Sequence, residues 1–429
     1  MEHAEIIDCE LAVVGAGIAG MAAAMFASNR GVSTVQIGRT GEIAFASGLI
    51  DLMGVHPVEK NRISENPWSA IEALVKYSPE HPYALLGKRK ILDSLNETIQ
   101  FLEPFGLNYQ SRGENNSLIA TPAGTLKPTY LVPSSMWSGV QSLKDKIRCT
   151  IAGFQGLKGF SPRQMANVLE HRWPGLQPVT ISFPVASCAP EIYPEQLALR
   201  LDLPEQRHHL ADLLGPNVRN TAAVGLPAVL GIYRSEQAIA DLEQFLGIPV
   251  FEIPTIPPSV PGIRLKEAFS AGLLRNRVRL LHQLRVLDVA PANGMKFHLK
   301  VGRKDPELII KASGVILASG RFLGGGLHAG KNGIRETIFN LPVRDPVVRE
   351  SWHHMNPMDP RGHPINRAGL EIDENFRPLK KSGVPAFENL FVAGSILANQ
   401  DWMRMKCGCG LSIATAFGAV EAFTASGLR

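Results

Sequence analysis

Three glycines, Gly15, Gly17 and Gly20, carry the spacing G-x-G-x-x-G. Each position has a physical reason in the cradling of a phosphate. Gly15 permits a tight turn out of a strand, and Gly17 lets the backbone approach a pyrophosphate. Gly20 lets the following helix pack close to the sheet, and that helix turns free N–H groups and a positive dipole end toward the anion. The apolar run Leu11–Val14 precedes the triplet, and Met21–Ser28 follows it as a helix of small and apolar residues. Strand, turn and helix are the setting in which the pattern carries meaning.

A carboxylate is expected at the end of the next strand, where it would hold a ribose hydroxyl. This chain has Ile37-Gly38-Arg39 there, and Glu42 only four residues after Gly38. The adenosine contact is therefore missing or moved. FMN, which has no adenosine, would not need it, whereas Arg39 would suit a 2′-phosphate. The glycines favour a dinucleotide and the missing acid opposes the ordinary one, so FMN and FAD both stay open.

Further residues have types suited to such a cofactor. Ser47 and Gly48, in Ala46-Ser47-Gly48-Leu49-Ile50-Asp51, are small enough to let backbone and hydroxyl groups approach a flat ring. Ser319-Gly320 and Gly394-Ser395 each follow a returning apolar strand. Gly408, Cys409 and Gly410 precede the last helix, whose positive end would stabilise a reduced, anionic flavin. A thiol at that position, Cys407 or Cys409, could alternatively be redox-active. Arg264 and Arg335 each sit in a Gly-Ile-Arg triplet, and a guanidinium fork beside a glycine suits a phosphate or carboxylate. The ordinary alternative for either is an ion pair with a structural acid. His328, His353, His354 and His363 offer imidazoles for taking a proton from an alcohol. No spacing singles one out; His328 is carried with Arg264 and Arg335 as the catalytic candidates. No residue pattern suggests a metal site.

These residues need elements to position them. The opening unit is βαβ, with Gly31 ending its helix and Ser33–Ile37 as its second strand. Ile71–Lys76 and Lys88–Phe101 read as helices, and Leu126–Val132 as a strand. A second alternation starts at Arg148–Ala152. It continues with a helix from Ser161-Pro162 to Arg172, a strand Val179–Val185, and helical sequence over Pro194–Leu214. A strand Ala222–Gly231, a helix Ser235–Leu246 and a strand Pro249–Ile253 complete it. Strands alternating with helices predict a parallel sheet covered on both faces. Val315–Ala318 and Leu390–Ala393 are returning strands, and Leu411–Thr424 is the last helix.

The composition is that of a globular protein, with 45% hydrophobic and 19% charged residues in 429. A net charge of +5 and no Lys/Arg run exclude an obvious nucleic-acid binder. No uninterrupted apolar stretch reaches membrane-spanning length. Glu2, Glu5, Asp8 and Glu10 before the first apolar run are unlike a basic leader. The five cysteines, Cys9, Cys149, Cys188, Cys407 and Cys409, form no C-x-x-C pair, which predicts a reduced, cytoplasmic setting.

Beyond the glycine triplet, several blocks resemble the B-subunit family of the anaerobic glycerol-3-phosphate dehydrogenases. They are Ser47-Gly48 with Asp51-Leu52, His81-Pro82-Tyr83 with Leu85-Leu86-Gly87, and Pro257-Pro258-Ser259-Val260 with Gly262-Ile263-Arg264-Leu265. Ala318-Ser319-Gly320 continues through Gly324-Gly325-Gly326-Leu327 to Gly333-Ile334-Arg335-Glu336, and Asn389-Leu390-Phe391, Gly394-Ser395 and Gly408-Cys409-Gly410 close the series. Cys407 departs from the family pattern, which has glycine there. The resemblance implies a flavoprotein that oxidises sn-glycerol 3-phosphate to dihydroxyacetone phosphate and passes electrons to a quinone. It implies FMN, with FAD as the alternative. It also implies two partners, an FAD-containing catalytic A subunit, and a membrane-associated iron–sulfur C subunit. The chain would then be cytoplasmic and peripheral at the inner face of the membrane. An electron relay without a substrate site, and a fumarate-reductase-like enzyme, are the competing functions. The expected fold is α/β: a discontinuous Rossmann-like flavin-binding domain of the glutathione-reductase/fumarate-reductase-like kind, with an inserted doubly wound α/β domain. The flavin-binding domain is drawn from residues 1–56, 255–345 and 385–429. Cap or substrate-facing segments are 57–146 and 346–384, and the insertion is 147–254.

Overall fold

The computed structural model describes residues 5–39, 42–184, 191–292, 296–346 and 348–427. Glu2, Cys188 and Val185, named above, lie outside them.

The first strand is longer than its apolar core predicts. It runs Glu5–Val14, and its polar first half is held in parallel register by a distant partner, from Glu5 opposite Leu308 to Val14 opposite Leu317. That partner, Pro306–Leu317, is the spine of a seven-stranded sheet. On one side lie Glu5–Val14, Thr34–Gly38 and Arg279–His282, all parallel. On the other, Lys296–Gly302 pairs antiparallel with the spine and carries Arg285–Ala292 at the edge. Leu390–Val392 pairs parallel with the spine's carboxyl end, at Val315–Leu317. The carboxyl ends of parallel strands thus converge, and in such sheets ligands bind there.

Two helices built from small residues pack together in this unit: Ile18–Asn29 and Gly408–Ala425. Alanine and glycine bring the backbones close, and Phe26 meets Phe417 edge-to-face at 5.1 Å. Among the described residues, Gly408–Ala425 alone has the length and apolarity to cross a membrane, yet most of it is buried within the chain. It starts at Gly408, so the glycine–cysteine segment forms its first turn rather than a separate cap.

Contacts divide the chain into two compact units. The first holds residues 1–43, 51–101 and 269–429; the second holds 44–50 and 102–268. The expected cap segment 57–146 is thereby shared between them. The reason lies in the helix Ser134–Lys144, which packs on the strand Val250–Ile253. There Gly139 lies so close to Phe251 that an added Cβ would stand 2.5 Å from its ring.

The second unit's sheet is four-stranded and wholly parallel. Its order is Val250–Ile253, Ala223–Pro227, Cys149–Phe154, Gln177–Ile181. Pro162–Leu169 starts as expected, the Ser161 hydroxyl accepting from the Gln164 amide at 3.3 Å. The helical sequence expected over Pro194–Leu214 is two helices, Pro194–Leu201 and Pro204–Val218. Pro204 cannot donate to the preceding turn, so it begins a new helix.

Candidate functional site

The glycine loop lies at the carboxyl end of the first strand. Gly15 has φ +138°, and a Cβ there would stand 2.1 Å from the Ala318 carbonyl oxygen. Gly20 rests on the loop itself, its added Cβ 2.1 Å from the Gly15 oxygen. The loop is tied down from the neighbouring strand. The Gly15 amide donates to the Ile37 carbonyl at 2.8 Å, and Gln36 Nε2 donates to the Gly15 carbonyl at 2.7 Å. Gln36 is fully buried, and sequence reasoning missed it. The signal available was a lone amide inside an apolar strand.

Gly17 is the N-cap of Ile18–Asn29, in extended conformation. No side chain caps this end, and its first turn carries no acid. The N–H groups and the positive dipole end are therefore available to an anion. Ser319 follows Ala318, the residue on which Gly15 packs, just past the end of the spine strand. Its hydroxyl is buried without a hydrogen-bond partner, under Gly326, whose added Cβ would lie 2.5 Å from Ser319 Oγ. An orphaned buried hydroxyl costs about 1–3 kcal/mol unless a ligand satisfies it. Gly394, with φ +84°, closes the same end of the sheet. An added Cβ would stand 2.5 Å from the Ala19 Cβ, and its amide donates to Thr415 Oγ1 at 2.9 Å. Gly15, Gly17, Gly20, Ser319, Gly320, Gly394 and Ser395 thus gather in the first unit. The uncapped helix end and the orphaned hydroxyl fit a flavin phosphate.

The last helix is joined to the segment after the first unit's interruption. The Gly410 amide donates to the Asp51 carbonyl at 2.8 Å. Tyr83 is fully buried and donates its hydroxyl to the Leu52 carbonyl at 2.8 Å. Cys407 is buried, and its thiol is pushed well above the usual range by burial and by Asp51 and Asp401. The helix end does not activate this thiol; desolvation wins. Cys9 is likewise pushed up to about 12, mainly by burial.

Arg321, which sequence reasoning passed over, organises the backbone around Ser395. Its guanidinium donates to the carbonyls of Ser395 at 2.6 Å, Gln400 at 2.8 Å, Leu397 and Asn366. Burial lowers it to about 10 against the opposing charge of Asp401, so it stays cationic at neutral pH.

The remaining candidates divide between the two units. Ser47 and Gly48 belong to the second unit, where the Gly48 carbonyl accepts from Tyr109 Oη at 2.9 Å. Arg264 is also there, on the helix Val260–Arg275, and it is buried. Its guanidinium forks onto Glu252 at 2.6 and 2.8 Å, and its Nε donates to the Gly231 carbonyl. The alternative of a structural ion pair therefore describes Arg264. His328 and Arg335 are exposed on the two-stranded ribbon Leu327–Gly330 and Gly333–Glu336 of the first unit.

The first unit also holds a wide cleft of about 1300 Å³, with Arg62, Arg361, Arg367, His354 and His363 on its wall. Arg361 is held by Asp359 at 2.8 Å and Arg367 by Glu59 at 3.7 Å. His363 accepts the His354 amide on Nδ1, so its Nε2 carries the proton that it gives to the Pro357 carbonyl. Next to Glu80 of this wall lies His81, fully buried, its Nδ1 accepting the Tyr83 amide at 3.2 Å. Burial, aided by Arg367 and His56, lowers His81 to about 3.

Residues 10–411 match the FAD binding domain family. The chain is 29% identical over 427 residues to the B subunit of anaerobic glycerol-3-phosphate dehydrogenase from Yersinia pseudotuberculosis, covering 96% of this chain and 97% of that protein. With the protein of the same description from Vibrio cholerae serotype O1 it is 29% identical, covering 97% of each. Solved structures with similarity include a 3-ketosteroid Δ1-dehydrogenase from Sterolibacterium denitrificans, at 12% identity, TM-score 0.42, and 98% and 100% coverage. A flavocytochrome c3 fumarate reductase matches at 10% identity, TM-score 0.43, and 98% and 78% coverage.

Proposed function

This chain belongs to the FAD binding domain family, and from that premise we propose that it is the flavoprotein B subunit of an anaerobic glycerol-3-phosphate dehydrogenase. The observation that carries this reading is the reach of its likeness to proteins of that description, which covers 96% of this chain and 97% of the relative.

In this reading sn-glycerol 3-phosphate loses a hydride from C2 and a proton from its hydroxyl, giving dihydroxyacetone phosphate. A flavin held by this chain would supply the two-electron acceptor for that hydride, with a quinone as the final acceptor beyond the partner subunits. This chain's part is to hold and orient. Gly15, Gly17 and Gly20 with the N-terminus of Ile18–Asn29 would hold a flavin phosphate, joined by Ser319. Arg321 keeps the Ser395 backbone in place. The first turn of Gly408–Ala425 would lie against the flavin ring and favour its anionic reduced form. The arginines and histidines on the wall of the cleft would suit a charged, hydroxylated substrate. We assign FMN rather than FAD, because Gly38-Arg39 offers no ribose carboxylate at the end of its strand. The catalytic, FAD-containing protein and the iron–sulfur protein of the same complex are the partners, and through the latter the chain is peripheral at the membrane.

The test is direct. Acid release of flavin from the purified complex, followed by chromatography, should give FMN from this chain. Glycerol 3-phosphate should bleach flavin absorption at about 450 nm in the complex and yield dihydroxyacetone phosphate. Turnover of fumarate, with none of glycerol 3-phosphate, would sink the assignment.

A further inference from the structure

An alcohol that loses a hydride must also lose its hydroxyl proton, and a positioned base, most often a histidine, takes it. Among the described residues, His56, His354 and His363 stand on the wall of the first unit's cleft. His363 has both ring nitrogens engaged, by the His354 amide and the Pro357 carbonyl. The rings of His56 and His354 make no hydrogen bond among the described residues. Of these two, His56 is tied through the backbone to the start of the last helix. Its amide donates to the Arg62 carbonyl at 3.0 Å, and the Ser64 amide donates to the Gly54 carbonyl at 2.9 Å, so a short hairpin holds it. The Gly54 and Val55 amides both donate to the Met405 carbonyl at 3.0 Å, and Met405 also lines the cleft. Earlier in the same segment, the Asp51 carbonyl accepts the Gly410 amide at 2.8 Å. Residues 51–56 thus run from the first turn of Gly408–Ala425, the turn assigned to the flavin ring, out to the cleft wall.

We propose that His56 is the base that takes the C2 hydroxyl proton from a substrate bound in this cleft. It rests on the reading of the chain as a glycerol-3-phosphate dehydrogenase subunit, and it completes the chemistry of that reading. The C2–H bond breaks and its electron pair leaves as hydride to the two-electron acceptor already named. The O–H bond breaks, its proton passes to a ring nitrogen of His56, and its electron pair becomes the second bond of the carbonyl. A base must be unprotonated beforehand. Burial holds the His56 imidazole below its usual range, with Glu59 opposing, so the neutral form prevails at neutral pH. The charged and titratable groups around it are Glu59 and Arg62 of its own hairpin, Arg367, which pairs with Glu59 at 3.7 Å, and His81, itself held neutral. His56 is half-buried, so water can carry away the proton it has taken.

The experiment uses the assembled, flavin-loaded complex with glycerol 3-phosphate and a soluble quinone. His56→Gln should lower kcat about 100- to 10,000-fold, with KM little changed and flavin content intact. Protonated His56 cannot accept a proton, so the wild-type kcat should fall as the pH drops below about 6.5. That acid limb should be missing from the residual activity of His56→Gln and retained in His354→Gln. A second measurement needs no variant. In the wild-type complex, dihydroxyacetone phosphate should slow the modification of His56 by diethyl pyrocarbonate, read by peptide mass spectrometry. If His56→Gln loses its flavin, this protection decides alone. An acid limb kept in His56→Gln, an acid limb lost in His354→Gln, or a His56 as reactive with dihydroxyacetone phosphate as without it would each overturn the proposal. With wild-type turnover intact, each leaves the functional reading standing. A wild-type complex that does not oxidise glycerol 3-phosphate sinks both.

Discussion

His328 and Arg335 stand opposite each other across the antiparallel ribbon Leu327–Gly330 and Gly333–Glu336, and both are exposed. Directly paired residues of a ladder project from the same face. Seven positions apart in sequence, they thus set an imidazole and a guanidinium side by side. A contact with substrate or flavin phosphate would require Arg335→Ala to weaken their binding. Exposure on the ribbon leads to a different outcome. Flavin content should be unchanged, and the association rate with the partner proteins should fall severalfold at low salt. That difference should vanish toward 1 M salt, where the screening length is about 3 Å. Stopped-flow association at several salt concentrations, beside flavin titration, separates the two.

Ser319→Ala should have opposite effects on the flavin-free and flavin-bound protein. The hydroxyl is buried without a partner. Its removal should leave the flavin-free chain as stable as before, or slightly more so. Flavin affinity should fall about 5- to 10-fold, the equivalent of about 1–1.5 kcal/mol for one hydrogen bond. Denaturant melts of the flavin-free chain and flavin titration measure the two. Equal flavin affinity would remove Ser319 from the phosphate site.

Arg264→Ala should act on stability. It leaves the Glu252 carboxylate buried, retaining the Leu230 amide as a donor but losing its counter-charge. Breaking such a pair costs about 3–5 kcal/mol. The companion double change Arg264→Met/Glu252→Gln should recover much of that loss. Thermal or urea unfolding of the second unit's signal provides the readout. A variant of full stability with a raised KM for glycerol 3-phosphate would return Arg264 to substrate binding.

His81 should impose a pH dependence on folding. It is lowered to about 3 in the folded chain, against about 6.5 in an unfolded one. Between these values the unfolded state binds a proton that the folded state does not, so stability falls as the pH drops below about 6.5. The slope from this one group approaches about 1.4 kcal/mol per pH unit. His81→Gln has no proton to take up. The difference in urea stability between wild type and variant should therefore shrink or reverse from pH 7 to pH 5. Parallel pH profiles would show that His81 is not buried neutral.

The sequence by itself determined the local parts of this molecule. Gly15, Gly17 and Gly20 between strand and helix, Ser161-Pro162 at a helix start, and the alternation leading to a parallel four-stranded sheet all depend on residues within a turn or two of one another. The family blocks likewise foretold a flavin-binding fold. Tertiary structure decided what depended on distant partners. The strand Glu5–Glu10 mixes charged with apolar residues, and Leu308–Ala312 supplies its hydrogen bonds from some 300 residues away. Arg264 looked like an anion contact until the fold brought Glu252 against it. Cys407 carries the local signature of an activated thiol, but burial raises it. Ser319 became notable only when its surroundings left the hydroxyl without a partner. Propensity and turn chemistry act between neighbours, whereas hydrogen-bond satisfaction, desolvation and charge pairing are set by what packs alongside, which only the folded chain defines.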